Sequence, residues 1–278
     1  MAAECYECLK GLTRQAAGLS TDDEGLRERA LARALAIVES DFSQDELSIG
    51  IATKVHQALR DISGNLDPYR AMKDEEMRIA RELFREVGPA YDTQSLEGCL
   101  AFAVLGNAID FFRSLDSIRE DMRGVVEYAR DDSAEFGRRL RDVGDVLFLA
   151  DNAGEVYFDV PLVKLIGRHA VVTYVVKESP VQNDLTLDDL RRSGVYGEFD
   201  RVMTTGTATP GVLLELASEE FRGAFERAGL VVAKGMGYYE ALTELPAEGR
   251  VFHLLKAKCR PVADSLGVPV DSYVAILR

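Results

Sequence analysis

The spacing of apolar residues divides the chain into two parts that predict different structures. Up to about residue 140 the apolar positions recur every three or four residues, which is typical of amphipathic helices. The clearest helical segments are 26–38, 47–55, 72–87 and 96–112. This first part, residues 1–140, therefore predicts an all-helical N-terminal domain.

After residue 141 the pattern changes to short, continuous apolar runs separated by polar or turn-rich stretches. The runs cover residues 146–150, 171–176, 201–203, 230–233, 251–255 and 273–277. Strands that read as continuous apolar runs are buried on both faces, which indicates a mostly parallel sheet with helices on each side. Residues 141–278 are therefore predicted to form an α/β domain. The boundary has no Pro-, Gly- or Ser-rich linker, so we expect the two domains to pack together.

The composition excludes several classes of partner. The chain has 278 residues, with 33 Lys and Arg against 47 Asp and Glu, and a formal net charge of −14. Such a charge repels nucleic acids and anionic lipids, so we expect neither as a partner. No apolar run approaches the roughly 20 residues of a membrane span, and no secretory signal is visible. We expect a cytoplasmic protein whose cysteines are reduced, with the Cys5-x-x-Cys8 pair as packed thiols.

Polar residues follow the first five apolar runs, where each predicted strand ends. They are Asp151, Asn152, Glu155, Lys177, Asn183, Asp184, Gly206, Thr207, Lys234 and Lys256. In open parallel sheets the ligand crevice lies at the carboxyl ends of the strands, so these residues are expected to meet at one edge.

These groups suit the binding of a metal-bound phosphate. Oxygen ligands from Asp151, Asn152 and Asp184 match a hard divalent ion such as Mg²⁺ or Mn²⁺. The lysines supply charge for phosphate oxygens, and Gly206 beside Thr207 allows a close backbone approach. Glu155 is either a general acid or base, a partner that orients a metal ligand, or a carboxylate that favours a helix N-terminus.

Several other kinds of site lack their motifs. We find no G-x-G-x-x-G after the first run, no P-loop and no G-x-S-x-G nucleophile elbow. The D-x-D of haloacid-dehalogenase-type phosphatases is also missing. The three histidines are scattered along the sequence, which argues against zinc.

Seven motifs, in this order, closely resemble the damage-control phosphatases, formerly domain of unknown function 89, and in particular their archaeal and bacterial stand-alone branch. The motifs are Cys5-x-x-Cys8, Asp67-Pro68-Tyr69, Gly106-Asn107-x-Ile109-Asp110, Asp151-Asn152-Ala153-Gly154-Glu155 with Asp159, Lys177-x-x-Pro180-x-x-Asn183-Asp184, Ala233-Lys234-Gly235 and Lys256-Ala257-Lys258-Cys259. One departure is that residues 236–240 lack an Asn expected there and contain Tyr238, which puts substrate preference in question.

The resemblance implies a helical domain on a Rossmann-like α/β domain. It also implies a phosphatase that depends on Mg²⁺, Mn²⁺, Co²⁺ or Ni²⁺ and hydrolyses small phosphorylated metabolites, such as sugar phosphates, in a damage-control role. The metal ligands would be Asp151, Asn152 and Asp184, and Lys256 would contact the substrate phosphate. Nearby groups would be Glu155, Asn183, Lys177 and Lys234, with Asn107 and Asp110 reaching in from the helical domain.

Two other functions stay open at this point. One is an S-adenosylmethionine-dependent carboxyl methyltransferase, which the missing glycine loop disfavours. The other is a non-catalytic protein that binds a metal or metabolite. Within the phosphatase hypothesis the nucleophile is either Asp151 or a water, and we favour water because Asp151 is needed as a ligand.

Overall fold

The structure is a computed structural model that describes residues 1–43, 45–109, 122, 124–246 and 249–278. Its first three helices, α1 (Ala3–Ser20), α2 (Glu24–Asp41) and α3 (Ser48–Ser63), pack around a core of their own. α2 begins at Glu24 because Asp23 Oδ1 accepts a hydrogen bond from the Leu26 amide at 2.7 Å. The core is rich in alanine, which lets α1, α2 and α3 approach one another closely.

The next two helices belong to a different core. α4 (Arg70–Val87) and α5 (Leu96–Gly106) join the apolar cluster on one face of the sheet. α5 ends at Gly106, within the predicted helical segment 96–112. Its buried residues surround the helix because it packs against two later helices, Ser133–Arg139 and Val156–Ile166, and against the sheet.

Seven strands form one sheet in the part of the chain that the structure describes. They are β1 (Tyr128–Asp131), β2 (Asp145–Leu149), β3 (Val171–Val176), β4 (Val202–Thr204), β5 (Leu230–Lys234), β6 (Val251–Lys256) and β7 (Tyr273–Leu277). Their order is β1-β7-β6-β5-β2-β3-β4. The five strands from β6 to β4 are mutually parallel, β7 is antiparallel to β6, and β1 is parallel to β7.

Helices cover both faces of the sheet. They are α6 (Ser133–Arg139), α7 (Val156–Ile166), α8 (Leu187–Arg192), α9 (Glu219–Arg227), α10 (Gly235–Leu242) and α11 (Arg260–Leu266). Phe148 packs on the face with α5 and α7, while Leu149, next in sequence, packs on the face with α9 and α10. This double burial explains why β2, β5 and β6 read as continuous apolar runs.

The predicted fold class is confirmed: a mostly parallel, Rossmann-like α/β sheet with flanking helices follows a helical N-terminal region. The sheet also contains β1, which lies before residue 140 and which the sequence did not indicate. The division into domains 1–140 and 141–278 stays a prediction. No helix among the described residues is long and apolar enough to cross a bilayer.

Strand order places a topological switch point at β2. The chain goes from β2 to β3 on one side and returns through β5 to β6 on the other. Such a reversal opens a crevice at the carboxyl ends of the two strands that flank it. The crevice therefore lies beyond the ends of β2 and β5.

Candidate functional site

A cavity of about 420 Å³ lies at this switch point and is called here the catalytic cavity. Its wall includes Asp151, Asn152, Asn183, Asp184 and Lys258. A larger cavity of about 790 Å³ lies near the starts of β3 and β4, where its wall includes Val171 and Arg201. None of the predicted metal ligands lines that larger cavity, so the candidate chemistry belongs to the catalytic cavity.

The loops after β2 and β3 are tied together by backbone hydrogen bonds. Asn152 and Asp184 form an isolated antiparallel bridge. The Leu185 amide donates to the Asp151 carbonyl at 2.8 Å, and the Ala153 amide donates to the Asn183 carbonyl at 2.9 Å. These bonds bring the three predicted metal ligands to one wall, although they come from two separate loops.

The Asp151 carboxylate is held by amides. Its Oδ2 accepts from Asn107 Nδ2 at 3.0 Å and from Asn152 Nδ2 at 3.4 Å. Burial, together with the nearby carboxylates of Glu155 and Asp184, raises the pKa of Asp151 well above its usual range. The negative charge of Asp151 is therefore poorly compensated by the protein.

Gly235 has no side chain, and the Asp151 carboxylate occupies the space that a side chain there would fill. Its φ is +76°, and a Cβ at this position would lie 1.8 Å from Asp151 Oδ2. Any other residue would be strained and would displace the carboxylate. The first residue of α10 thus fixes where the Asp151 side chain can lie.

Asp184 is almost fully buried and faces one lysine. Its Oδ2 lies 3.4 Å from Lys177 Nζ but makes no hydrogen bond among the described residues. Burial raises the pKa of Asp184 to about 6, against the lowering effect of Lys177. Lys177 also donates to the Tyr238 hydroxyl at 3.0 Å and to the Gly211 carbonyl. Tyr238, at the point of departure from the family pattern, is therefore the partner of Lys177.

A second group of buried charges, the Lys234 network, lies beneath the cavity. Lys234 Nζ is 2.7 Å from both Glu155 Oε2 and Asp159 Oδ1, and the Tyr174 hydroxyl donates to Asp159 Oδ2 at 2.8 Å. Burial alone would raise the pKa of Glu155, but Lys234 and the Asn107 amide lower it below its usual value. Glu155 is thus a stable anion.

Asn107 connects the helical region to both strand ends. Its Nδ2 donates to Asp151 and, at 2.8 Å, to Glu155 Oε1, while its Oδ1 accepts from the Lys256 backbone amide at 3.0 Å. The predicted inward position of Asn107 agrees with these bonds. Asp110, predicted beside it, lies outside the described residues.

The donor set fits a hard divalent cation. Asp151 and Asp184 are buried carboxylates with incomplete partners. The Asn152 Nδ2 is used by Asp151 and, at 2.9 Å, by Glu155 Oε1, which leaves Oδ1 as its possible ligand atom. Within the described ranges no three His, Cys, Asp or Glu side chains converge as a metal site. The set therefore depends on the Asn152 amide as its third member.

Of the predicted phosphate-binding residues, some lie away from the cavity. Lys256 Nζ lies 3.5 Å from Asp271 Oδ1, and Lys258 rather than Lys256 is in the cavity wall. A Cβ on Gly206 would meet Ser218 at the start of α9, and Thr207 donates to the Thr209 hydroxyl at 2.6 Å. Lys234 is enclosed by its two carboxylates. Phosphate contacts by Lys177, Lys234, Lys256, Gly206 and Thr207 stay predictions.

The sequence analysis missed Glu76, which is fully buried in α4. Its Oε2 accepts from Asn183 Nδ2 at 3.2 Å, so it orients a residue of the cavity wall. Burial raises the pKa of Glu76 well above its usual range. The signal was present in the spacing: Lys73, Glu76 and Ala80 follow one another at helical intervals on the buried face of α4.

The comparisons with known proteins agree on one family. The Damage-control phosphatase ARMT1-like domain matches residues 1–274. A damage-control phosphatase of Pyrococcus horikoshii is 33% identical over 98% of this chain and 96% of its own length. One from Archaeoglobus fulgidus is 32% identical over 98% and 96%. The crystal structure of a DUF89 family protein from Pyrococcus horikoshii superposes with a TM-score of 0.89 at 31% identity, and covers 100% of this chain and 98% of that one.

Proposed function

The chain belongs to the family of the Damage-control phosphatase ARMT1-like domain, and from this premise we propose that it is a divalent-metal-dependent phosphatase of small phosphorylated metabolites. The homologues named damage-control phosphatase indicate phosphatase activity. Dependence on Mg²⁺, Mn²⁺, Co²⁺ or Ni²⁺, and action on sugar phosphates or related monoesters, are the finer parts of the proposal.

The observation that carries the proposal is the poorly compensated charge of Asp151. This buried carboxylate accepts hydrogen bonds only from amides among the described residues, and it shares its wall with Asp184. Buried anions require a partner, and a cation held by Asp151, Asn152 and Asp184 would provide it. Such an ion, when bound, would polarise a phosphoryl group and activate water as a nucleophile.

The remaining groups bind the substrate phosphate or orient other residues of the site. Lys258, in the cavity wall, is the cation best placed to contact phosphate oxygens. Glu155 is held as an anion by Lys234 and accepts from the amides of Asn107 and Asn152. We therefore assign Glu155 a positioning role rather than that of a general acid. Water is the proposed nucleophile, since Asp151 would be occupied as a metal ligand.

Metal removal tests the proposal directly. Purified protein treated with EDTA should release no phosphate from a panel of sugar monophosphates, and added Mg²⁺, Mn²⁺ or Co²⁺ should restore release. Phosphate release that is equally fast after exhaustive EDTA treatment would overturn the metal dependence. Metal binding without turnover on the whole panel would instead support a non-catalytic sensor.

A further inference from the structure

A second cavity of about 320 Å³ adjoins the catalytic cavity and is called here the α1 cavity. The two share part of their walls, including Cys8, Leu12, Pro210, Met236 and Cys259. The two cavities are therefore neighbours, and these shared residues mark the path by which a ligand held at Asp151 and Asp184 would extend into the α1 cavity.

One face of α1 forms the wall along this path. Cys5, Cys8, Leu9 and Leu12 line the α1 cavity, and their spacing of three, four and seven residues puts them on one side of the helix. All four side chains are uncharged and largely apolar. The C-x-x-C pair lies along this path, with Cys5 half-buried and Cys8 exposed, so the expectation of two packed thiols is wrong for Cys8.

The charges along the path change sign from one end to the other. The catalytic end carries Lys258 and the proposed cation. The described residues that line the α1 cavity include two carboxylates, Glu4 and Glu240, and no Lys, Arg or His. Glu240 is half-buried and accepts a hydrogen bond from the Ser48 hydroxyl. A second phosphate or a carboxylate at that end would meet two carboxylates, of which Glu4 lies 3.7 Å from the exposed Arg260, a residue outside the cavity wall.

We infer that the substrate is a phosphate monoester whose organic part is elongated, carries no negative charge, and lies along the Cys5–Leu12 face of α1 into the α1 cavity. This inference rests on the proposed phosphatase function and narrows its substrate class. It disfavours bisphosphates and phosphates with a carboxylate tail. Uncharged tails, and tails that end in a hydroxyl, amide or ammonium group facing Glu240, are favoured.

A homologous substrate series tests the length requirement. The probes are ethyl, butyl and hexyl phosphate, assayed for phosphate release with Mn²⁺ present. Burial of apolar surface predicts that kcat/KM increases roughly fourfold for each methylene that enters the α1 cavity, mainly through KM. Equal kcat/KM across the series would overturn the inference while leaving the phosphatase function intact. No phosphate from any probe or from the sugar monophosphates would overturn the proposed function, and the inference with it.

A variant that fills the α1 cavity distinguishes this path from a general apolar effect. Cys5→Phe places a ring in the α1 cavity and should lower kcat/KM for hexyl phosphate roughly tenfold more than it lowers kcat/KM for ethyl phosphate. The matched control is Glu7→Phe, an exposed position on α1 that does not line either cavity. Equal loss for both substrates in Cys5→Phe, or equal loss in both variants, would contradict the proposed path.

The charge requirement has its own test at Glu240. The probes are 6-hydroxyhexyl phosphate and the corresponding phosphate with a terminal carboxylate. The hydroxyl compound should be the better substrate of the unmodified protein. Glu240→Gln keeps a hydrogen-bonding group for Ser48 but removes the charge, so it should reduce this preference several-fold. An unchanged preference would show that Glu240 does not face the substrate tail.

Discussion

Two groups of buried charge lie side by side at the catalytic cavity, the Lys234 network beneath it and Asp151 with Asp184 in its wall. They differ in how completely their charges are paired. In the Lys234 network, one ammonium contacts two carboxylates at 2.7 Å, and Tyr174 satisfies a further oxygen. At the neighbouring position, Asp151 meets only amides, and Asp184 Oδ2 faces Lys177 at 3.4 Å without a hydrogen bond.

We attribute the difference to two roles: the paired charges maintain the fold, and the incompletely paired charges are those that the proposed cation would compensate. Burial of an ion is costly unless partners of opposite sign and hydrogen bonds compensate it. The Lys234 network is compensated within the protein, so its removal should affect stability. The Asp151 site is not, so its removal should affect activity and leave stability unharmed.

Asp151→Asn gives the largest expected effect. The variant loses the carboxylate proposed as a metal ligand and keeps a side chain of similar size. We expect phosphate release to fall by roughly ten-thousandfold, while the free energy of unfolding in urea stays the same or increases. A strong loss of stability in this variant would break the comparison, because it would show that the protein already compensates this charge.

Lys234→Met should, in contrast, lower the stability of the protein. The substitution leaves Glu155 and Asp159 buried without their cation, which should lower the free energy of unfolding by about 3–5 kcal/mol. The control is Lys164→Met, which breaks an exposed ion pair with Glu198 and should cost at most about 1 kcal/mol. Similar urea midpoints for the two variants would mean that the Lys234 network contributes little to the fold.

A pair of glycine substitutions separates strain from displacement of Asp151. Gly235→Ala introduces a Cβ at positive φ and against Asp151, so it should cost about 1–2 kcal/mol of stability and roughly a hundredfold in activity. Gly267→Ala has a similar φ of +67° but no atom within 4 Å. It should show the same loss of stability with full activity. Equal activities in the two variants would indicate that Asp151 tolerates displacement.

The smallest effect on stability at neutral pH is expected from His253, a buried histidine that stays neutral. Burial lowers the pKa of His253 from 6.5 to about 3, so as pH falls the unfolded chain takes up its proton before the folded protein does. Stability is therefore lost below pH 6.5, by at most about 1.4 kcal/mol per pH unit. His253→Leu should flatten this dependence in urea titrations at several pH values. His56, whose pKa burial lowers to about 4, should account for a remaining slope that persists in the variant.

The sequence predicted the parallel sheet well because strands buried on both faces carry an unmistakable apolar run. It missed β1, whose residues Tyr128–Asp131 are largely polar and mostly exposed at the edge of the sheet. Edge strands bury little apolar surface, so their sequence shows little of the apolar pattern that identifies a strand. Because the apolar runs located β2 and β3, the residues that follow them could be expected at one edge of the sheet. Asp151, Asn152 and Asp184 do lie in one cavity wall there.

The expectation that polar residues after a strand line the cavity was less accurate for the lysines. Lys256 is still part of β6 and pairs with Tyr273 in the strand, while Lys258, two residues later, is in the cavity wall. A pattern of apolar residues does not fix a strand end to within two residues, and a long side chain can leave the strand in several directions. Glu76 was missed for another reason: the residues next to it in sequence are charged, and they hide its helical spacing from the buried Lys73 and Ala80.

Asn107 limits how the parts of this molecule can be exchanged. One side chain at the end of α5 contacts Asp151 and Glu155 in the segment after β2 and the backbone amide of Lys256 at the end of β6, two separate places in the α/β region. A chimera that joins the helical segment of one relative to the sheet of another would inherit an active catalytic arrangement only if its donor supplied this amide at the same position. Recombination within the family should therefore succeed when the chimera keeps an asparagine at position 107 together with its hydrogen-bond partners. It should fail when another residue takes that position.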